Sequence, residues 1–292
     1  MSYAFACCGL EKKLWQLNYE EMDDLIFYSM ASGSSGNCYF IGNRQYGFLI
    51  DAGISARLML KNLRAINIDV PQVRALFVTH IHKDHTQSMS VVGNRWKIPV
   101  FTTKKTFLEI DKASYIRKRV EYMNRHFLEH GDRIQLGDFF ITSFFVPHDV
   151  DDNSGFVIEY KGKTVVLITD AGRLTQTILQ TIGCANYLII ESNHDKEMLL
   201  NGSYPYDLKQ RIASSEGHLS NDEAAYAVAN YMNEDLRALF LCHLSESNNT
   251  PELAIKTMQR ELIYHALSKA IKNPKFPIVA LDRKEAQLFV LD

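Results

Sequence analysis

Residues Thr79–Met89 read THIHKDHTQSM, which places His80, His82, Asp84 and His85 within six positions, directly after the apolar run Ala75–Val78. Imidazole nitrogens and carboxylate oxygens are the donors that Zn²⁺ accepts, and Mn²⁺ and Fe²⁺ also take them. His80 and His82 stand two apart, so in an extended or tightly turned segment both project to one side and can grip one ion. Asp84 and His85 lie beyond the bend and can reach a second. Few explanations other than metal binding account for such a density of donors.

The stretch gains meaning from other residues at the ends of apolar runs. Asp51 ends FLID, His148 follows FFVP, Asp170 ends VLITD, and His243 closes ALFLC. Side chains at neighbouring strand ends converge on one edge of a sheet, which is where a metal cluster can be built. Asp170, with two oxygens, can bridge two ions, and pairs of ions about 3.5–4 Å apart hydrolyse substrates with a bridging hydroxide as nucleophile. Taken singly, each residue has an ordinary reading. A strand-end histidine such as His148 or His243 is more often a hydrogen-bonded residue than a ligand. Asp51 and Asp170, each followed by Ala-Gly, suit tight turns. His126, His130 and His265 have no such context and read as ordinary.

Apolar and polar patterning fills in the rest. LIFYSM (residues 25–30), CYFIG and YGFLID read as strands, with NRQ as a hairpin between the last two. Ser55 stands where a helix N-cap belongs, before ARLMLKNLRAI. ALFVT is a strand that ends at the histidine cluster, and a helix is expected from about Thr86 to Trp96. Strands at IPVFTT, DFFITSFFV, GFVIEY, TVVLITD, NYLIIES, ALFLCHLS, FPIVALD and AQLFVLD alternate with helices beginning near Lys104, Thr175, Pro205, Asn221 and Pro251. The strands fall into two groups, one in each half of the chain, and the hairpins argue for mixed sheets. Two sheets stacked face to face with helices outside account for this, an α+β, αββα four-layer sandwich. Residues 1–24 precede the first strand as an extension, and residues 25–292 read as one domain.

The chain has 292 residues, 46% of them hydrophobic, enough for a substantial core. Its net charge of −2 is no strong sign of nucleic-acid binding, although an acidic metal-binding core can mask a local basic face. Basic residues cluster modestly at Lys104–Lys105, Arg117–Lys118–Arg119, Arg125, Lys209 and Arg211. The five cysteines, Cys7, Cys8, Cys38, Cys184 and Cys242, are odd in number and scattered, which points to reduced thiols and a cytoplasmic location. No apolar run approaches the ~18 residues that span a bilayer, so no membrane association is expected. The first residues do not read as a signal peptide.

The order Asp51, THIHKDH, His148, Asp170 and His243 resembles the five motifs of the metallo-β-lactamase fold, from about Leu25 to the C-terminus. Within it, SGSSGN (Ser32–Asn37), LIDAG, SNHD (Ser192–Asp195), GHLSN (Gly217–Asn221) and HLSESNNTPELA look closest to the YycJ/WalJ-like group, whose members are regarded as DNA exonucleases. The resemblance implies two ions, Zn or Mn with Fe as a further candidate. His80, His82 and His148 would hold one, and Asp84, His85 and His243 the other, with Asp170 bridging. Asp51 would orient a ligand imidazole, so that Asp84, Asp51 and His218 form the catalytic set, with His218 on the phosphate. Ser32, Gly33, Ser34, Ser35, Gly36 and Asn37 would approach the substrate together with Asn193 and His218. On composition alone SGSSGN is an ordinary hairpin, and GHLSN a helix cap built on Ser220 and Glu223. SNHD reads equally as part of the mouth or as a surface turn. The expected function is phosphodiester cleavage in nucleic acid. The alternatives are thioester or lactone hydrolysis of the glyoxalase II type and a non-enzymatic, metal-dependent regulatory module.

Overall fold

The computed structural model describes residues 24–292 apart from 115, 117 and 271–273. The expected extension up to residue 23, Cys7, Cys8 and Arg117 therefore lie outside the described residues.

Strands β1 (Leu25–Ala31), β2 (Cys38–Gly42), β3 (Gly47–Ile50), β4 (Val73–Phe77), β5 (Val100–Thr103) and β6 (Arg125–Leu128) form one sheet. Strands β7 (Arg133–Leu136), β8 (Phe139–Phe145), β9 (Ser154–Tyr160), β10 (Lys163–Ile168), β11 (Tyr187–Glu191), β12 (Ala238–Cys242) and β13 (Ile278–Ala280) form the other. The last strand, β14 (Gln287–Leu291), crosses back to the first sheet and pairs antiparallel with β1, Leu25 opposite Leu291. Each sheet thus has seven strands, in the orders β14-β1-β2-β3-β4-β5-β6 and β13-β12-β11-β10-β9-β8-β7. The expectation of one strand group per half is corrected at two points: the second sheet already begins with β7 and β8, before the midpoint, and β14 returns to the first sheet.

Both sheets mix antiparallel hairpins with parallel crossovers such as β3–β4 and β10–β11. Helices α1 (Ala56–Ala65) and α3 (Lys104–Lys112) join the core of the first sheet's outer face, and α4 (Gln176–Ile182), α7 (Asn221–Tyr231) and α8 (Pro251–Lys269) that of the second. This is the expected four-layer sandwich.

Period-two alternation explains why β1 reads as continuously apolar. Leu25 and Phe27 face the other sheet, whereas Ile26, Tyr28 and Met30 face the helices. Edge-on aromatic pairs stitch the sheets together, with Phe27 and Phe240 centroids 5.0 Å apart and Phe48 and Phe139 5.6 Å apart. Helix starts follow the capping chemistry of the sequence. Ser55 accepts from Leu58 N, and Ser220 with Glu223 closes a capping box on α7.

Two local expectations change. The helix after β4 begins earlier, as α2 (Lys83–Thr86), and is followed by a π-helical turn over Val91–Arg95. Its first turn contains Asp84, a charge that suits a helix N-terminus. Strands β6 and β7 escape sequence reading because RHFL and RIQL are short edge strands with one exposed face. Among the described residues no helix is long and apolar enough to cross a membrane.

Candidate metal centre

The C-terminal ends of six strands meet at one edge of the sandwich. Asp51 follows β3, His80 follows β4, His148 follows β8, Asp170 follows β10, Glu191 ends β11, and His243 follows β12. Asp51, Asp170 and His243 all have positive φ, at 60°, 53° and 54°. Such left-handed residues outside glycine are uncommon, and here they turn each chain abruptly as it leaves its strand.

The turns bring four overlapping sets of donors together: His80 with His82 and His148, Asp84 with His85 and His243, His80 with His85 and Asp170, and Asp170 with Glu191, His218 and His243, the candidate ligand atoms of each set lying within 4.8 Å of one another. Asp170 stands between the first two. Its Oδ2 is 3.2 Å from His85 Nε2, and its Oδ1 is 3.6 Å from His243 Nε2 and 3.7 Å from His148 Nε2.

The protonation pattern tests whether these residues suit a cation. His85 Nδ1 lies 2.7 Å from Asp51 Oδ2, His148 Nδ1 3.0 Å from the Gly217 carbonyl, and His243 Nδ1 3.1 Å from Glu191 Oε1. His80 Nδ1 lies 2.9 Å from Thr79 Oγ1, which itself donates to Asp51. With an acceptor on the outer nitrogen, each ring turns a bare Nε2 inward. His82 alone is reversed. Its Nδ1 faces the cluster, 3.0 Å from His80 Nε2 and 3.3 Å from His148 Nε2. Converging lone pairs at such distances call for a positive ion between them. The buried Nε2 of His243 has no hydrogen-bond partner, although it faces two carboxylates. Nitrogen and oxygen donors in this arrangement fit divalent ions of the zinc and manganese type.

Charge is divided unevenly across the cluster. Burial depresses the pKa of His80, His82 and His148, with neighbouring imidazoles adding to the effect. Burial also works against charge on His243, but the Asp170 and Asp84 carboxylates facing its Nε2 and the hydrogen bond to Glu191 outweigh it and hold its pKa at about 10. His85 is likewise held up by Asp170, Asp51 and Asp84 against its burial. The carboxyls of Asp84 and Asp170, which burial alone would raise, are kept ionised by those same histidines. In the metal-free protein, protons on His85 and His243 therefore occupy the place of a cation. Because His243 carries its proton below about pH 10, metal uptake at neutral pH must release it, and affinity must weaken as pH falls. Calorimetric titrations in buffers of different ionisation enthalpy read that proton release directly. A pH-independent affinity with no proton release would contradict it.

The SGSSGN loop turns inward. Ser32 and Asn37 are buried, and only Ser34 and Ser35 are exposed. Ser32 Oγ accepts from His243 N at 3.0 Å, while Asn37 Nδ2 lies 2.9 Å from His85 Nε2 and 3.3 Å from Asp84 Oδ2. The Gly33 amide donates to Asn37 Oδ1 at 2.9 Å, and Gly36 N closes the turn onto the Gly33 carbonyl at 2.9 Å. The loop thus braces the backbone of His243 and the side chains of His85 and Asp84, and the side chains of Ser32 and Asn37, expected to approach the substrate, are buried against them.

Gly53 completes this brace, since a Cβ there would meet the Asp84 carbonyl at 1.6 Å and Asn37 N at 2.7 Å. Gly53→Ala should lower stability by the upper part of the roughly 1–3 kcal/mol that overpacking costs, and loosen metal binding with it. Denaturant unfolding with and without metal checks this. A variant as stable as the parent would contradict it.

Asn193 is also turned inward, donating to the His243 carbonyl at 2.9 Å. His194 is buried, and Asp195 caps α5 (Lys196–Asn201), so SNHD is not a surface turn; it packs beside His243. Behind the cluster, Asn249 ties Ser192 and Asn193 carbonyls to Asn221, which joins SNHD, GHLSN and the stretch after His243 into one hydrogen-bonded unit.

His218 does stand at the cluster. Its Nδ1 is 2.8 Å from Glu191 Oε1, and its ring stacks on that of His243 at 5.3 Å. Burial opposes its charge, but Glu191 raises its pKa overall. Glu191 is fully buried, and the pairing with His218 outweighs that burial and keeps its pKa at about 2. Sequence reading missed Glu191, although LIIE ends a strand in the same way as FLID and LITD. It also missed Asp149, whose carboxylate lies 3.4 Å from His82 Nε2.

Of the basic residues, Arg119 and Arg125 are tied to Asp111, and Lys209 to the Leu200 carbonyl. Arg211 instead reaches the edge of the cluster through Asp149.

The sequence profile described as the beta-lactamase superfamily domain matches residues 46–243. A protein of Streptococcus pneumoniae serotype 2 named exodeoxyribonuclease WalJ is 34% identical over 80% of this chain and 86% of its own. Exodeoxyribonuclease YycJ of Bacillus anthracis is 32% identical over 82% of this chain and 89% of its own. Among solved structures, the metallo-β-lactamase fold protein YhfI of Bacillus subtilis superposes with a TM-score of 0.63, covering 91% of this chain and 100% of that one at 16% identity. The chain belongs to the β-lactamase superfamily and, within its metallo-β-lactamase fold, to the group of WalJ and YycJ.

Proposed function

We propose that this protein is a metal-dependent phosphodiesterase that removes nucleotides from a DNA end. His80, His82 and His148 would hold one divalent ion and Asp84, His85 and His243 a second, with Asp170 shared. Such ions supply an activated water and neutralise charge on the phosphate. Everything else falls to the chain. Asp51 fixes the His85 ring, and the SGSSGN loop fixes Asp84 and His243.

The observation that carries the reading is His218, held by Glu191 beside Asp170. With Nδ1 committed to Glu191, its transferable proton is on Nε2. When the phosphorus–oxygen bond to the leaving nucleoside breaks, that proton goes to the departing oxygen, and His218 becomes neutral. A thioester needs no such donor, because a thiolate leaves readily. The name shared by the WalJ and YycJ relatives supports DNA over other phosphodiesters. Exposed Ser34 and Ser35, with the rim formed by Arg211, are the groups available to a DNA strand. Work in a reducing cytoplasm agrees with the free thiols of Cys38, Cys184 and Cys242.

The test compares end-labelled linear DNA, covalently closed circular DNA, bis-p-nitrophenyl phosphate and thioesters, each with Zn²⁺ or Mn²⁺. Linear DNA should be shortened and closed circles spared. High thioester turnover without phosphodiester cleavage would replace this function with thioester hydrolysis. A metal-loaded protein inert towards all four would favour a regulatory module.

A further inference from the structure

Asp149 follows His148 in the loop between β8 and β9. Its Oδ1 lies 3.4 Å from His82 Nε2 and 3.2 Å from His148 Nε2, buried and without a hydrogen-bond partner. Its Oδ2 accepts from Arg211 Nε at 2.5 Å, and the Arg211 Nη2 closes on the same oxygen. Arg211 projects from α6 (Tyr206–Ile212), so the clamp joins two separate parts of the rim.

His82 is the odd member of its set. It turns Nδ1 towards His80 and His148, so Nε2 is the nitrogen that must be held from outside. For His85 a carboxylate does this work from Asp51, for His243 from Glu191, and for His148 a carbonyl from Gly217. For His82 the carboxylate nearest that nitrogen is Asp149, at ion-pair distance without a hydrogen bond, and its Oδ1 sits between His82 Nε2 and His148 Nε2. A carboxylate there fixes the proton on Nε2 and leaves Nδ1 as a lone pair, and such partners govern metal affinity. Arg211 fixes the carboxylate in turn, because two of its nitrogens share one oxygen and turn the other towards the imidazole.

We propose that Asp149, held by Arg211, is the positioning residue of the His80–His82–His148 site and sets its metal affinity. The proposal rests on the reading of these histidines as one metal site.

Full-length protein is titrated with Co²⁺, and binding is followed by visible absorption. In a His243→Ala background, where the His80–His82–His148 site remains intact, adding Asp149→Asn should weaken binding ~10–100-fold. Arg211→Ala should act in the same direction, and Arg211→Lys should fall between, since an ammonium cannot make the two-nitrogen grip. In a His148→Ala background, where the Asp84–His85–His243 site remains, Asp149→Asn should leave affinity unchanged. Thermal unfolding of the metal-free variants should match that of their parents. Undiminished affinity of Asp149→Asn in the His243→Ala background would overturn the proposal. So would equal weakening in both backgrounds, which would mark Asp149 as a general structural residue. A parent protein that takes up no Co²⁺ would overturn both this proposal and the metal reading beneath it.

Discussion

Asp170→Ala should lower DNA cleavage by about three orders of magnitude or more and lower metal uptake at both donor sets. The expectation follows from its position. Among the described residues Asp170 is the one carboxylate within 4 Å of His85, His148 and His243 together, and it is 2% exposed. Its removal leaves buried imidazoles facing each other without a shared negative charge. Losing several kcal/mol of transition-state stabilisation is worth about a thousandfold in rate. Replacements in only one set, His82→Ala and Asp84→Ala, should abolish cleavage while sparing part of the metal content. Rates and metal content measured on the same preparations check the account. A fully active Asp170→Ala protein would place the chemistry elsewhere.

His218→Ala should slow DNA cleavage by ~10²–10⁴-fold, the usual worth of a positioned proton donor. Metal content is the second readout: His218 also stands with Asp170, Glu191 and His243 close enough to hold an ion, so content at the parent level is expected of a proton donor, and a matching loss of metal would make His218 a ligand. The substrate supplies the discrimination. p-Nitrophenolate leaves without help from an acid, so hydrolysis of bis-p-nitrophenyl phosphate should fall far less than cleavage of DNA. Equal losses on both substrates would mean that His218 shapes the site and does not donate a proton. Glu191→Gln should slow DNA cleavage too, with some loss of metal, because the same carboxylate oxygen serves His218 and His243.

The parts of the site legible in the sequence share one property: they combine a coordinating side chain with a strand end. THIHKDH announced itself by density. Asp51, Asp170 and His243 were legible because the apolar runs before them are long enough to mark strands. Glu191 obeys the same rule but lies in NYLIIES, where a glutamate between isoleucine and serine looks like the start of a surface turn. Only burial against two histidines reveals its role. The glycine-rich loop misled for a physical reason. Composition reports its freedom to bend, not the direction of its side chains, and Ser32 and Asn37 spend their hydrogen bonds on His243, His85 and Asp84. Asp149 was hidden because its partners, His82 and Arg211, are far from each other in sequence.

The sandwich itself followed from alternating strand and helix patterns, whereas the return of β14 to the first sheet did not. QLFVL is a short, mostly apolar run as many edge strands are, and what seats it is pairing with β1, where Leu291 lies opposite Leu25, 266 positions earlier. Such long-range pairing leaves no local trace.

The central claim is that the residues gathered at the strand ends hold metal ions on which phosphodiester cleavage depends. Metal analysis and end-labelled DNA cleavage on one preparation, before and after chelation and again after reconstitution, test it most directly. The expected result is two divalent ions per chain, loss of cleavage on their removal, and recovery as they return. Undiminished DNA cleavage by metal-free protein would contradict it.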